Sequence, residues 1–167
     1  MIEYKNILKF ERGILYRLLR ESYNDLLNAM PDYKNELNSN WERFDSDSFN
    51  NPYTIGKCVL VSVLNENPVG FVSWDPRGIP GSGEIGQNCI ISAYRGNGYG
   101  KLQIQKVRSI FQNKSTENVK VTTADHPFFN PARKMYLSCG FTESGYSYTE
   151  KYGDLKLIHY EYKFRKQ

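Results

Sequence analysis

Apolar residues recur at helical spacing through residues 13–30: Ile14, Leu15, Leu18, Leu19, Tyr23, Leu26 and Leu27. They predict one helix, closed by Pro31. A weaker helical pattern (Tyr33, Leu37, Trp41, Phe44) covers residues 33–44 and gives way to the polar run 45–52. The period then changes from helix to strand. Residues 57–64 (KCVLVSVL) and 69–75 (VGFVSWD) predict a hairpin turning at residues 65–68. Further strands are expected at residues 84–91, 118–123, 141–148 and 156–164, with a short first strand at 5–10. Between them lie a helix that follows a glycine-rich turn and a second helix at 130–138. This order predicts an α/β (α+β) fold: a mixed, mostly antiparallel central sheet of six to seven strands flanked by about four helices.

Composition narrows the class. The chain of 167 residues is 40% hydrophobic, enough for one core, and a single domain over 1–167 is expected. Its 13 tyrosines are amphipathic rings that suit either a cleft or an ordinary surface. The net charge of +4 is scattered and too weak to argue for nucleic acid, although it would suit an anionic ligand. The longest unbroken apolar run, residues 58–61, excludes a membrane span. Cys58, Cys89 and Cys139 are odd in number and lack metal-site spacing, so neither a disulfide framework nor a metal is expected. The N-terminus has no signal-peptide pattern, which makes a cytoplasmic location the expectation.

The most informative segment is the strand 84–91 running into Arg95-Gly96-Asn97-Gly98-Tyr99-Gly100-Lys101 and then into a helix with Ile104, Val107, Ile110 and Phe111 on one face. Glycines allow a sharp turn that converges several backbone N–H groups. A helix N-terminus adds unpaired donors and partial positive charge. Such a turn can seat a phosphate or pyrophosphate, with Arg95 and Lys101 adding charge, or it can be a structural turn before a helix. The Walker pattern is absent, because Leu102 follows Gly100-Lys101, and the dinucleotide-fold GxGxxG register also fails. Arg95-x-x-Gly98-x-Gly100 resembles the [QR]xxGx[GA] signature of the GNAT superfamily of N-acetyltransferases. In that family the turn holds the pyrophosphate of acetyl-coenzyme A. The lead-in Ile90-Ile91-Ser92-Ala93-Tyr94 is similar too, with Ser92 in place of the common proline.

Residues 130–141 strengthen the resemblance. Asn130 reads as an N-cap, Pro131 as the first helical residue and Gly140 as C′. Ala132, Met135, Tyr136 and Cys139 form one apolar face, so Tyr136 also reads as a core residue. The same stretch resembles the family's NxxAxxxYxxxGF motif at every fixed position.

The resemblance implies an acetyl-CoA-dependent N-acetyltransferase without metal, moving an acetyl group to a primary amine of a small molecule or peptide by direct attack in a ternary complex. It also implies that backbone N–H groups at Ile90 and Ile91 polarise the thioester and that Asn130 lies near the coenzyme. Tyr136 takes the family position of the acid at the coenzyme sulfur. Glu84 stands where some members carry a general base, and it reads equally as a solvated carboxylate. Asp125-His126 reads as a loop anchor. Cys139 lacks a histidine partner in sequence, which disfavours a covalent acyl-enzyme. Trp41, Tyr53 and Trp74 fall in or near segments that form the acceptor cleft in related proteins. Family members often form dimers, so a homodimer is expected; the alternative function is a catalytically silent CoA-binding module.

Overall fold

The structure, a computed structural model, describes residues 1–166, which leaves the last residue of the expected 1–167 domain outside the described residues. The chain divides into two compact units, Met1–Ser73 with Gln87–Gln103 and Trp74–Gly86 with Ile104–Gln167. Among the described residues, seven strands form an open sheet in the order β1-β2-β3-β4-β5-β7-β6. These strands are β1 (Ile2–Asn6), β2 (Val59–Leu64), β3 (Asn67–Asp75), β4 (Ser82–Ile90), β5 (Asn118–Ala124), β6 (Thr142–Thr149) and β7 (Leu155–Lys163). β4 and β5 run parallel, whereas β1–β2, β2–β3, β5–β7 and β6–β7 are antiparallel. Five α-helices accompany them among the described residues: α1 (Ile14–Ser22), α2 (Asn24–Ala29), α3 (Lys34–Asn50), α4 (Tyr99–Asn113) and α5 (Asn130–Ser138). The mixed, mostly antiparallel architecture is the expected one.

In the first unit, Leu15, Leu18 and Leu19 of α1 are buried against Val59, Val61, Val69 and Phe71 of the hairpin and Trp41 of α3. Each fully buried side chain of this kind contributes roughly 2 kcal/mol by leaving water. Three sequence expectations are corrected here. The helix expected over residues 13–30 is two helices that break at Tyr23, whose φ of −106° and ψ of 18° are not helical. The Tyr23 ring stacks on Trp41, and its hydroxyl donates to the Asn88 carbonyl. The second helix runs on to Asn50, through the stretch expected to be a polar loop. The reason is Asp45, which is buried although its neighbours are polar. Its carboxylate accepts from the N–H groups of Gly13 (2.9 Å), Leu15 (2.9 Å) and Tyr16 (3.3 Å), so a residue of α3 caps α1. The first strand lies at Ile2–Asn6 rather than 5–10, because the Asn6 side chain accepts from Leu8 N–H and starts a 3₁₀ turn.

The hairpin turn is tighter than expected. Asn65 (φ 48°) and Glu66 (φ 66°) form a two-residue loop between paired Leu64 and Asn67, the left-handed pair that matches strand twist. Pro68 lies inside β3, beside a bulge at Ser62/Val63.

The second unit pairs Ser82–Ile85 of β4 with Asn118–Val121 of β5 and continues through β7 to the edge strand β6. One face is apolar, with Ile85, Val121, Ile158 and Tyr160 buried. Phe111 of α4 lies so close to Gly83 that a Cβ there would be 2.3 Å from its ring. From α5, Tyr136 packs on Tyr160 and Phe141, with ring centroids 5.9 and 6.1 Å away. The opposite face alternates with this one and carries Glu84, Lys120, Thr122, His159 and Glu161.

Candidate active site

The glycine turn lies in the first unit. After β4, a 3₁₀ turn at Ser92–Tyr94 leads into Arg95. Gly96 (φ 79°) and Gly98 (φ 81°) take left-handed backbone angles that favour glycine, and no atom lies within 4 Å of where a Cβ would stand on either. Asn97 fastens the turn from inside: its amide donates to the carbonyls of Tyr94 (3.1 Å) and Arg95 (3.3 Å). The Leu102 N–H returns to the Gly98 carbonyl at 3.1 Å, the first helical bond of α4. The N–H groups of Tyr99, Gly100 and Lys101 precede that bond, so helix geometry supplies them with no partner within α4. The turn therefore offers converging donors, the positive end of a helix, exposed Lys101 and unobstructed space. A pyrophosphate fits such a seat.

Arg95 is exposed, and its side chain also engages the protein itself. Its Nε donates to the Ile90 carbonyl (3.0 Å), and a terminal nitrogen donates to the Ser22 carbonyl at the end of α1. The guanidinium is thus a brace between the end of β4, the glycine turn and α1. Ile91 N–H donates to the Val69 carbonyl at 2.9 Å, so it is engaged within the sheet. Because successive strand amides alternate in direction, Ile90 N–H points to the opposite edge of β4. Fully buried Gln103 secures this region from α4, donating to Ser62 Oγ (2.8 Å) and the Cys89 carbonyl (3.2 Å).

The remaining expected residues lie in the second unit. Glu84 is exposed on the polar face of β4, in register with Lys120 of β5. Tyr136 is only 3% exposed, at the centre of the aromatic cluster with Phe141 and Tyr160. Burial pushes the neighbouring Tyr160 phenol above its ordinary value, which keeps it protonated. Asn130 is the first helical residue (φ −55°, ψ −42°), not the N-cap, because the chain enters α5 through a 3₁₀ turn at Pro127–Phe129. That turn is capped by the His126 ring nitrogen, which accepts from Phe128 N–H at 3.1 Å. The Asn130 side chain accepts from Arg133, which also pairs with Asp125 at 2.7 Å. Gly140 (φ 87°) does end α5, with Gly140 N–H on the Leu137 carbonyl and Phe141 N–H on the Tyr136 carbonyl.

Cys58, Cys89 and Cys139 are all buried, and burial pushes the Cys89 thiol up to about 11. Among the described residues, no three His, Cys, Asp or Glu side chains are grouped to hold a metal ion.

The sequence matches the acetyltransferase (GNAT) family over residues 15–141, a span that includes both the glycine turn and the helix of Tyr136. The chain belongs to this family. Solved structures of similar fold agree. A proposed GNAT acetyltransferase from Desulfovibrio desulfuricans superposes with a TM-score of 0.76 at 10% identity, over 98% of each chain. A proposed streptothricin acetyltransferase from Bacillus anthracis, in complex with acetyl coenzyme A, gives 0.57 at 20% identity over 64% of this chain and 62% of its own. The yncA protein from Salmonella typhimurium, a proposed acetyltransferase with acetyl-CoA, gives 0.57 at 16% identity over 65% of each chain. At these identities the likeness is one of fold. No curated protein matches this GNAT chain in sequence. No helix among its described residues is long and apolar enough to cross a membrane.

Proposed function

We propose that the protein transfers an acetyl group from acetyl-CoA to a primary amine by direct attack. The observation that carries this reading is the Gly96–Gly98 turn, whose two left-handed glycines, with empty space where a Cβ would stand, lead into the N-terminus of α4. These donors would hold the coenzyme's pyrophosphate, with Lys101 supplying charge and Arg95 bracing the turn from behind. When bound, the coenzyme would supply an activated acetyl thioester. Ile90 N–H is the strand amide left to polarise its carbonyl, and Tyr136 is assigned to donate to the departing sulfur. Glu84 is the carboxylate assigned to the proton of the amine. All three cysteines are buried and burial pushes the Cys89 thiol up, which supports direct transfer over an acyl-enzyme.

The test is a panel of amine acceptors with thiol release as the readout, run beside coenzyme A titrations that follow thermal stability. Stabilisation by coenzyme A together with amine-dependent thiol release is expected. Stabilisation by ATP or NAD but not by coenzyme A overturns the reading. The burial of Tyr136 favours a second reading, a coenzyme A-binding module without turnover. Amine-dependent thiol release by the wild type excludes this second reading, and unchanged turnover in both Tyr136→Phe and Glu84→Gln removes these residues from the chemistry.

A further inference from the structure

The polar face of the second unit's sheet carries a group that neither sequence motif contains. His159 of β7 is half-buried, and both of its ring nitrogens are engaged by hydroxyls from the flanking strands. Thr122 Oγ1 on β5 lies 2.8 Å from Nδ1, and Ser147 Oγ on β6 lies 2.8 Å from Nε2. Register explains the meeting: Thr122 is the direct partner of His159, and Ser147 lies diagonally across from it beyond the β6 bulge. Both hydroxyls belong to exposed residues.

A neutral imidazole has one donor and one acceptor nitrogen, so this arrangement is a directed chain of hydrogen bonds. One hydroxyl gives its proton to the ring while the other receives the ring's N–H. On the same face, one step along the strands, lie Glu84 of β4, Lys120 of β5 and Glu161 of β7; β6 adds Thr142 there. The helices that pack on this unit's sheet, through Phe111 and Tyr136, lie on the opposite face.

We infer that Thr122, His159 and Ser147 form a proton relay that takes the proton of the acceptor ammonium, with Thr122 as the group in contact with substrate and His159 acting through it. This inference rests on the acetyltransferase reading above and moves the proton-acceptor role assigned there to Glu84 onto the relay. The ammonium gives one proton to Thr122 Oγ1 as Thr122 passes its own proton to His159 Nδ1. Ser147 accepts from Nε2–H and stabilises the imidazolium. The freed nitrogen lone pair forms the C–N bond as the C–S bond breaks, and the nitrogen's second departing proton ends on the thiolate to give the free thiol. His159 then returns its proton to water through the same hydroxyls. Imidazole suits the task because one ring nitrogen can accept a proton while the other donates. The carboxylate of Glu84, in register with the Lys120 ammonium, would serve to attract the cationic acceptor.

The test uses the full chain, acetyl-CoA and the best amine of the panel. His159→Gln keeps hydrogen-bonding capacity but cannot carry the proton. It is expected to lower kcat on the order of 10²-fold at pH 7, with coenzyme affinity and amine KM within about twofold. The deficit should close as pH approaches the pKa of the amine, since water then removes the proton, and that recovery also shows that the variant is folded. Thr122→Val should reproduce the loss and Thr122→Ser should restore the rate. Wild-type turnover and pH profile in His159→Gln overturn the relay alone. So does a loss that high pH does not rescue and that accompanies a lower melting temperature. Absence of thiol release by the wild type with every amine overturns the acetyltransferase reading and the relay with it.

Discussion

Replacing Gly98 with alanine asks whether the turn is a ligand seat or only a corner. At φ 81° an alanine pays the left-handed penalty, roughly 1 kcal/mol, and nothing within 4 Å adds a clash. For a chain of 167 residues that cost predicts a fall in melting temperature of about 2–4 °C. The new methyl group, however, would fill empty space at the entry to α4, where the proposed function seats the pyrophosphate. Losing one charge-assisted hydrogen bond costs about 1.5–3 kcal/mol, so coenzyme A should bind on the order of ten- to a hundredfold more weakly. Gly140→Ala is the control. Its φ of 87° brings the same backbone strain, and a Cβ there meets the Tyr162 ring at 3.2 Å. It should lower stability at least as much as Gly98→Ala and leave coenzyme affinity near wild type. Calorimetric titration of both variants with coenzyme A decides the matter. Equal affinity losses in the two, or none in Gly98→Ala, would refute the assignment of the turn.

Arg95→Lys should destabilise the chain as much as Arg95→Ala, about 2 kcal/mol in denaturant unfolding, because lysine cannot bridge the Ile90 and Ser22 carbonyls. Wild-type stability in Arg95→Lys would show that charge, not the brace, is what matters. Asp45→Ala removes a cap shared by three amides and should cost about 3 kcal/mol, measured the same way; a loss under about 1 kcal/mol contradicts the capping role. The Cys89 thiol ionises at about 11 in the folded chain against an ordinary value of 9.0, so its contribution to stability is complete below pH 9 and is lost as pH rises through 11. Melting temperature followed between pH 8 and 11 should therefore decline less steeply in Cys89→Ala than in wild type, and parallel curves would contradict this.

Much of the fold was legible because its signals are local. The strand–turn–strand rhythm of residues 57–75 and the span of α5 follow from side-chain period and end residues alone. The misread segments are those where a distant partner decides. Residues 45–50 are polar, and only the contact of Asp45 with the start of α1 turns them into helix. Tyr23 reads as one more apolar helix position, yet its contacts with Trp41 and Asn88 accompany a break. Asn130 has the chemistry of a cap, and the His126 turn ahead of it supplies a different helix entry.

The site divides along the same line. Sequence alone determined that the chain carries a glycine turn opening one helix and a second helix, closed by Gly140, that carries Tyr136, because turn and helix-end conformation depend on residues within a turn or two of each other. Tertiary structure decided that the Arg95 side chain also braces the turn, since its carbonyl acceptors belong to α1 and β4. It also decided that Thr122, Ser147 and His159 meet, although they stand 37 and 12 positions apart from the histidine. Strand register, not spacing, places side chains from three strands together, and register is set only when a whole face is buried.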